Sequence, residues 1–177
     1  MTPSNRRHDR LQIRPSPDER NTLQHLYSTV PFWRVVRNWL VIYTARYLPW
    51  LHVKRRLYQA VGVTIGEDVS VGLAAVFDVF FPEEITIGAN SIIGYNTVIL
   101  AHEYLQREWR KGPVVIGRNV VIGANCTILP GIIIGDGAVV SAMSLVNRDV
   151  SPGATVGGVP VRVLAEAESG ERRAELC

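Results

Sequence analysis

The sequence is short of cysteine, of long apolar runs and, in its first third, of acidic residues. It has 2 cysteines, Cys126 and Cys177, too few for a disulfide framework, so a reducing, cytoplasmic setting is expected. No uninterrupted apolar run reaches the ~18 residues of a membrane span, and none is predicted. The first 20 residues carry no apolar core of the signal-peptide kind. Residues 1–60 hold eleven Lys/Arg against three Asp/Glu, whereas residues 61–177 hold eight against thirteen. The formal charge of +3 therefore hides a basic N-terminal third and an acidic remainder. Histidine is scarce as well: of 4, only His102 lies beyond residue 60.

What is present divides the chain into four. Residues 1–20, with Arg6, Arg7, Arg10, Arg14 and Arg20 among prolines and few apolar groups, read as a disordered basic arm. Residues 21–60 are aromatic and basic and predict a helical cap, broken near Pro31 and Pro49. Residues 61–165 are repetitive, and 166–177 form a polar tail. In the repeat, Ile116, Ile122, Ile128, Ile134, Val140 and Val146 follow at intervals of six. Ile65, Val71 and Phe77 do the same earlier, as do Ile87, Ile93 and Ile99. Glycine often follows the anchor, and a small or β-branched residue sits four positions after it.

An α-helix cannot use a period of six, because six residues turn it through roughly 600° and scatter the anchors around its surface. A simple strand would refill its inner face every second residue without a recurring glycine. Short strands joined by tight bends do fit, with the anchor inside, glycine at the bend and the small residue beside the next wall. Three such sixes close a coil of about 18 residues. The phase breaks twice: Phe77 to Ile87 spans ten residues and Ile99 to Ile116 seventeen. Breaks of this kind map to loops at a solvent edge, often the binding side. His102 stands at the mouth of the second.

The Ile-Gly-x-x-small repeat, the segment Ile99-Leu100-Ala101-His102-Glu103 before a loop and the ending Gly157-Gly158-Val159-Pro160-Val161-Arg162 resemble the hexapeptide-repeat acyltransferases. The maltose and galactoside O-acetyltransferase branch is the nearest likeness. The resemblance implies a left-handed parallel β-helix, a homotrimer, active sites in clefts between neighbouring coils, and acetyl-CoA as acyl donor along the C-terminal coils. It also implies His102 as general base, a task that suits an imidazole titrating near neutrality. Where the family usually has Pro, this chain has Glu103, either an orienting partner for the imidazole or a solvated loop charge. Ala124 and Ala142 match cofactor-lining positions. Asn147 and Arg148 stand where Thr-Lys is usual, and Arg148 keeps a cation for coenzyme phosphates. Asp78, at the first break, is an acceptor-binding candidate or a turn residue before Phe80-Phe81-Pro82. Trp109 in the second loop either reaches over the site or pins the loop.

Zinc, used by related coils through three histidines, is not expected, since the repeat holds one and Cys126 offers no ligand spacing. Residues 32–58 mix Trp33, Trp39, Tyr43, Tyr47, Trp50 and Tyr58 with six cations, fitting a cap over the first coil or peripheral contact with an anionic membrane surface. No nucleic-acid-binding module is recognisable. The expected activity is transfer of an acetyl group to a hydroxyl of a sugar or glycan. Transfer to an amine of an amino sugar or small molecule, or a catalytically silent trimeric scaffold, are the alternatives.

Overall fold

A computed structural model describes residues 7–166. The anchors at intervals of six fall on strands of two or three residues, and every third strand returns to the same sheet. Ile65, Ile87, Ile116 and Ile134 stack in register on a first face. Val71, Ile93, Ile122, Val140 and Val156 stack on a second, and Phe77, Ile99, Ile128 and Val146 on a third. These pairings are all parallel, so the chain winds as a three-faced parallel β-helix with the anchors along its axis. No anchor is more than 5% exposed. Burying each such Ile or Val contributes about 1.5–3 kcal/mol.

The bends differ from the expectation in one respect. The glycines after the anchors do not make the turn, since none of Gly66, Gly72, Gly88, Gly94, Gly117, Gly123 and Gly135 has a positive φ. The turn is made two residues later, where Asp68, Asn90, Asn96, Asn119 and Asn125 hold φ between 53° and 57°. Asn and Asp tolerate this left-handed conformation better than other residues with a side chain. They also form a ladder up the prism, Asn90 Nδ2 donating to Asn119 Oδ1 at 2.8 Å and Asn96 Nδ2 to Asn125 Oδ1 at 2.9 Å. The glycine is needed because the next coil lies against it: a Cβ on Gly88 would stand 2.6 Å from the Gly117 carbonyl carbon. The small residues four after the anchor are buried, and Ser91 and Thr97 donate across coils to the carbonyls of Gly117 and Gly123.

The first open edge of the coil is covered by α2 (Phe32–Tyr47) and α3 (Leu51–Ala60), which the short α1 (Leu26–Thr29) precedes. Pro31 precedes α2, and the helix stops two residues before Pro49. The inward groups are Asn38, whose Nδ2 donates to the Val79 carbonyl at 2.9 Å, Lys54, donating to the Gly72 carbonyl at 2.6 Å, and Tyr58, packed on Phe77. At the other end Arg162–Ala165 folds back antiparallel on Thr155–Gly157. The tail after Glu166 and residues 1–6 of the arm lie outside the described residues.

The rest of the arm corrects the expectation of disorder. Gln12–Pro15 is a strand, antiparallel to Glu108–Lys111. Arg7 Nε donates to the Pro130 carbonyl at 2.7 Å, Arg10 Nε to that of Gly131 at 2.8 Å, and Arg10 also pairs with Asp149. Composition argued against order because the arm has little apolar surface to bury. A preformed strand edge and unpaired bend carbonyls supply backbone and guanidinium partners instead.

Because glycine serves stacking rather than turning, Gly88→Ala should cost about 1–3 kcal/mol through overpacking. Asn119→Gly, which keeps the left-handed conformation, should cost much less. Denaturant unfolding of both variants at one protein concentration checks the contrast.

Candidate active site

Between Ile99 and Ile116 the chain leaves the prism as a hairpin, His102–Tyr104 paired antiparallel with Glu108–Lys111. The arm strand adds to its outer edge, giving a three-stranded sheet. Registers place His102, Lys111 and Gln12 in one cross-strand row, and Tyr104, Trp109 and Arg14 in the next such row. Directly opposed residues of antiparallel strands share a face, and successive residues alternate. These six side chains therefore stand on one side of the sheet, and Glu103, Arg110 and Ile13 on the other.

The contacts agree. The His102 ring lies 5.1 Å from Tyr104, 4.9 Å from Phe80 and 5.8 Å from Phe81, and Phe81 stacks on Trp109 at 5.7 Å. Glu103, on the opposite face, pairs with Arg7 Nη2 at 2.6 Å. This corrects the reading of Glu103 as a partner of the imidazole: strand alternation turns it away, and its charge clamps the arm to the hairpin.

The partner of His102 is Asp78. His102 Nδ1 lies 2.5 Å from Asp78 Oδ2, which also accepts the Ala101 amide at 2.7 Å. Asp78 Oδ1 accepts the amides of Phe80 and Phe81, both at 2.9 Å. The carboxylate has no exposed surface, and both its oxygens are occupied. This corrects the acceptor-binding reading of Asp78, since no lone pair faces an incoming hydroxyl. Burial alone would raise its pKa. The hydrogen bond from His102 and that ring's charge, followed by the Phe81 and Ala101 amides, outweigh burial and hold it below the usual carboxylate value. An ionised carboxylate only accepts, so Nδ1 carries the hydrogen in either state of the ring, and in the neutral ring Nε2 keeps a free lone pair.

The meeting of Asp78 and His102 follows from the repeat. Phe77 and Ile99 stack in register on the third face, so the first phase break lies one coil below the second at the same corner. Around the pair, Phe80, Phe81 and Tyr104 form an aromatic collar, and burial pushes the Tyr104 phenol up, which keeps it neutral. A cleft of about 360 Å³ opens farther along the same sheet face, with Gln12, Arg14, Trp109 and Lys111 on its floor and Phe81 and Thr29 in its walls. The Arg14 guanidinium lies over the Trp109 ring, and Lys111 lies over Phe81 while pairing with Glu84 at 2.7 Å. Gln12 and Arg14 had no signal in the sequence as site residues, because their strand precedes the repeat. Cys126 is buried and its thiol pushed up by that burial, which makes it a core residue and not a nucleophile. Among the described residues no group of three or more His, Cys, Asp and Glu is arranged to hold a metal ion.

The profile of the hexapeptide repeat of succinyl-transferase matches residues 113–145. YvoF of Bacillus subtilis, an acetyltransferase in name, is 53% identical over 154 residues, which cover 86% of this chain and 90% of that protein. The chain belongs to the hexapeptide-repeat acetyltransferases. The galactoside O-acetyltransferase of Escherichia coli is 33% identical over 129 residues, 69% of this chain and 57% of that one. Among solved structures, a galactoside acetyltransferase in complex with coenzyme A has the same fold, with a TM-score of 0.63, 22% identity, and coverage of 95% of this chain and 92% of the other.

The remaining candidates of this acetyltransferase lie away from His102. Ala124 and Ala142 occupy the corner between the second and third faces on successive coils, where the Met143 amide donates to the Ala124 carbonyl at 2.9 Å. Ala142 is exposed. Asn147 and Arg148 follow the third face of a later coil, at the corner that His102 occupies two coils earlier. Arg148 is exposed and forms no ion pair among the described residues, whereas Asn147 Oδ1 is shielded without a protein partner. Among the described residues no hydrogen bond or ion pair joins any of the four to His102, whose partner is Asp78.

If Asp78 sets the tautomer, Asp78→Asn reverses it. The introduced NH2 must face either the Phe80 and Phe81 amides or the Ala101 amide and His102 Nδ1. The second is the arrangement that leaves fewer opposed donors, and it forces Nδ1 to accept. Ring ¹⁵N shifts should then report the hydrogen on Nε2 in the variant and on Nδ1 in the parent; the same tautomer in both would refute the assignment.

Proposed function

We propose that the protein transfers an acetyl group from acetyl-CoA to a hydroxyl of a sugar or glycan, in a homotrimer of left-handed coils, with His102 Nε2 as general base. The observation that carries the reading is the buried Asp78 carboxylate holding Nδ1–H, which leaves the basic nitrogen for the acceptor. The acceptor oxygen attacks the thioester carbonyl as Nε2 removes its proton. The tetrahedral oxyanion then collapses, the C–S bond breaks, and the imidazolium returns the proton to the departing sulfur. The products are an acetyl ester and coenzyme A, and no covalent enzyme intermediate is needed. A positioned general base is worth ~10²–10⁴ in rate, and holding both substrates together supplies much of the remainder.

Several features favour a sugar hydroxyl over an amine. The neighbouring cleft offers the Trp109 ring, a flat face of the kind that sugar C–H edges pack against, together with polar groups from Gln12 and Thr29. Arg14, with no acidic partner among the described residues, would repel an ammonium acceptor at neutral pH, which must also lose a proton before it can attack. The galactoside O-acetyltransferase relative acts on a hydroxyl by its name. For the donor, the coenzyme A complex of the structural neighbour supports a groove along the later coils, with Ala124 and Ala142 at its wall and Asn147 and Arg148 near the phosphates. In this chain the third face separates Ala124 and Ala142 from His102. That separation favours a site completed by a neighbouring protomer, and hence the trimer.

Coenzyme A release measured with a panel of sugars tests the reading. His102→Ala should lower kcat by ~10²–10⁴-fold while thermal unfolding stays near that of the parent; undiminished turnover overturns the assigned base. Trp109→Ala should raise the acceptor KM roughly two- to twelvefold, as expected for a lost packing face of about 0.5–1.5 kcal/mol, and leave the acetyl-CoA KM unchanged.

A further inference from the structure

The N-terminal helices are apolar on two sides. On α2 the inward residues Asn38, Ile42 and Ala45 are buried against the coil. The outward side should then be polar, as on any surface helix. It instead presents Phe32, Trp33, Trp39, Tyr43 and Tyr47, and Trp50 continues the surface at the start of α3, with Trp33 78% and Trp50 63% exposed. The rings pack in two groups along this side, Trp39 on Tyr43 at 5.6 Å and Tyr43 on Tyr47 at 5.5 Å in one, and Phe32 on Trp33 at 5.2 Å in the other. An exposed aromatic patch of this kind marks an interaction surface.

The charge of the segment says what the partner is. Residues 21–66 contain no Asp or Glu but six cations, Arg34, Arg37, Arg46, Lys54, Arg55 and Arg56. Lys54 is used inside the cap and Arg34 pairs with Glu83. Arg37 and Arg56 are exposed and have no acidic partner among the described residues. Two such faces in a symmetric contact would bring cations together with no carboxylate to offset them. An anionic surface that accepts Trp and Tyr rings suits both features, and the headgroup zone of a bilayer is one. The geometry fits lying on the membrane and not crossing it. Among the described residues no helix is long and apolar enough to span, and α2, with 16 residues, reaches about 24 Å against a hydrocarbon core of about 30 Å.

We propose that the outer face of α2 and the start of α3 docks the protein on an anionic membrane surface, the rings entering the headgroup layer and Arg37 and Arg56 pairing with acidic lipids. The inference is independent of the acceptor and of the role of His102. Co-sedimentation of the full-length protein with phosphatidylcholine vesicles, with and without phosphatidylserine, tests it. Binding should require the acidic lipid and weaken with salt. Each of Arg37→Gln and Arg56→Gln should reduce the partition coefficient about fivefold, and Trp33→Ser/Trp39→Ser should reduce it by more than tenfold while acetyl transfer to a soluble acceptor is retained. Failure of the native protein to sediment with acidic vesicles overturns the proposal, as does undiminished binding by the tryptophan variant. A change of assembly mass in that variant with unchanged vesicle binding would assign the face to a second copy.

Discussion

The structure depends on how closely one coil can approach the next. Backbone hydrogen bonds between parallel strands fix that spacing near 4.8 Å, and at the corners that follow the first- and second-face anchors the spacing leaves no room for a Cβ. Glycine answers this at Gly66, Gly72, Gly88, Gly94, Gly117, Gly123 and Gly135. Once the coils stack at this distance, the anchors align, the Asn ladder closes the corners and the small buried residues fill the inner angles. Ser141 departs from the rule where the next coil offers Gly157, so the missing side chain has moved to the other partner. Met143 departs differently: it holds φ at 61° with its side chain largely in solvent, a conformation that costs a residue with a Cβ about 1–2 kcal/mol.

Stacking also assembles the chemistry. An insertion in a coil emerges at a corner, and two insertions at the same corner of adjacent coils must meet. The first is four residues longer than the repeat requires and brings Asp78, Phe80 and Phe81; the second is eleven longer and brings His102, Tyr104 and Trp109. The rigid prism fixes the relative height of the two loops. Four donors then converge on one carboxylate, three of them backbone amides of the two loops. The imidazole is oriented by backbone geometry as much as by its own partner.

The prism was legible in the sequence because its period is a direct consequence of strand length and corner geometry, and each anchor from Ile65 to Val146 stands where the interval places it. His102 was legible as a residue for a similar reason, being the single histidine at a break. Its partner was readable in principle, since aligning Phe77 with Ile99 sets Asp78 beneath the His102 loop, but adjacency in sequence favoured Glu103. Strand alternation decides that case, and it becomes visible only once the segment is known to be extended. The arm was opaque for a deeper reason. Arg7 and Arg10 bind carbonyls of Pro130 and Gly131 more than a hundred residues away, and composition carries no trace of partners that exist only after the coil has formed. The role of glycine was misread in mechanism though not in position, because absence of a Cβ serves close approach as readily as it serves a turn.

A parallel β-helix has no intrinsic length. Each coil presents to the next the same row of unpaired amides and carbonyls that it receives from the one before, so an open prism is a template for end-to-end growth into a fibre. Here the two ends are made unlike the middle. Lys54 and Tyr58 occupy the Gly72 and Ala75 carbonyls of the opening coil, and Arg162–Ala165 runs against the direction of every other strand in its sheet, offering a newcomer the wrong polarity. At these positions the carbonyls and the strand edge that a further coil would need are already taken or run the wrong way.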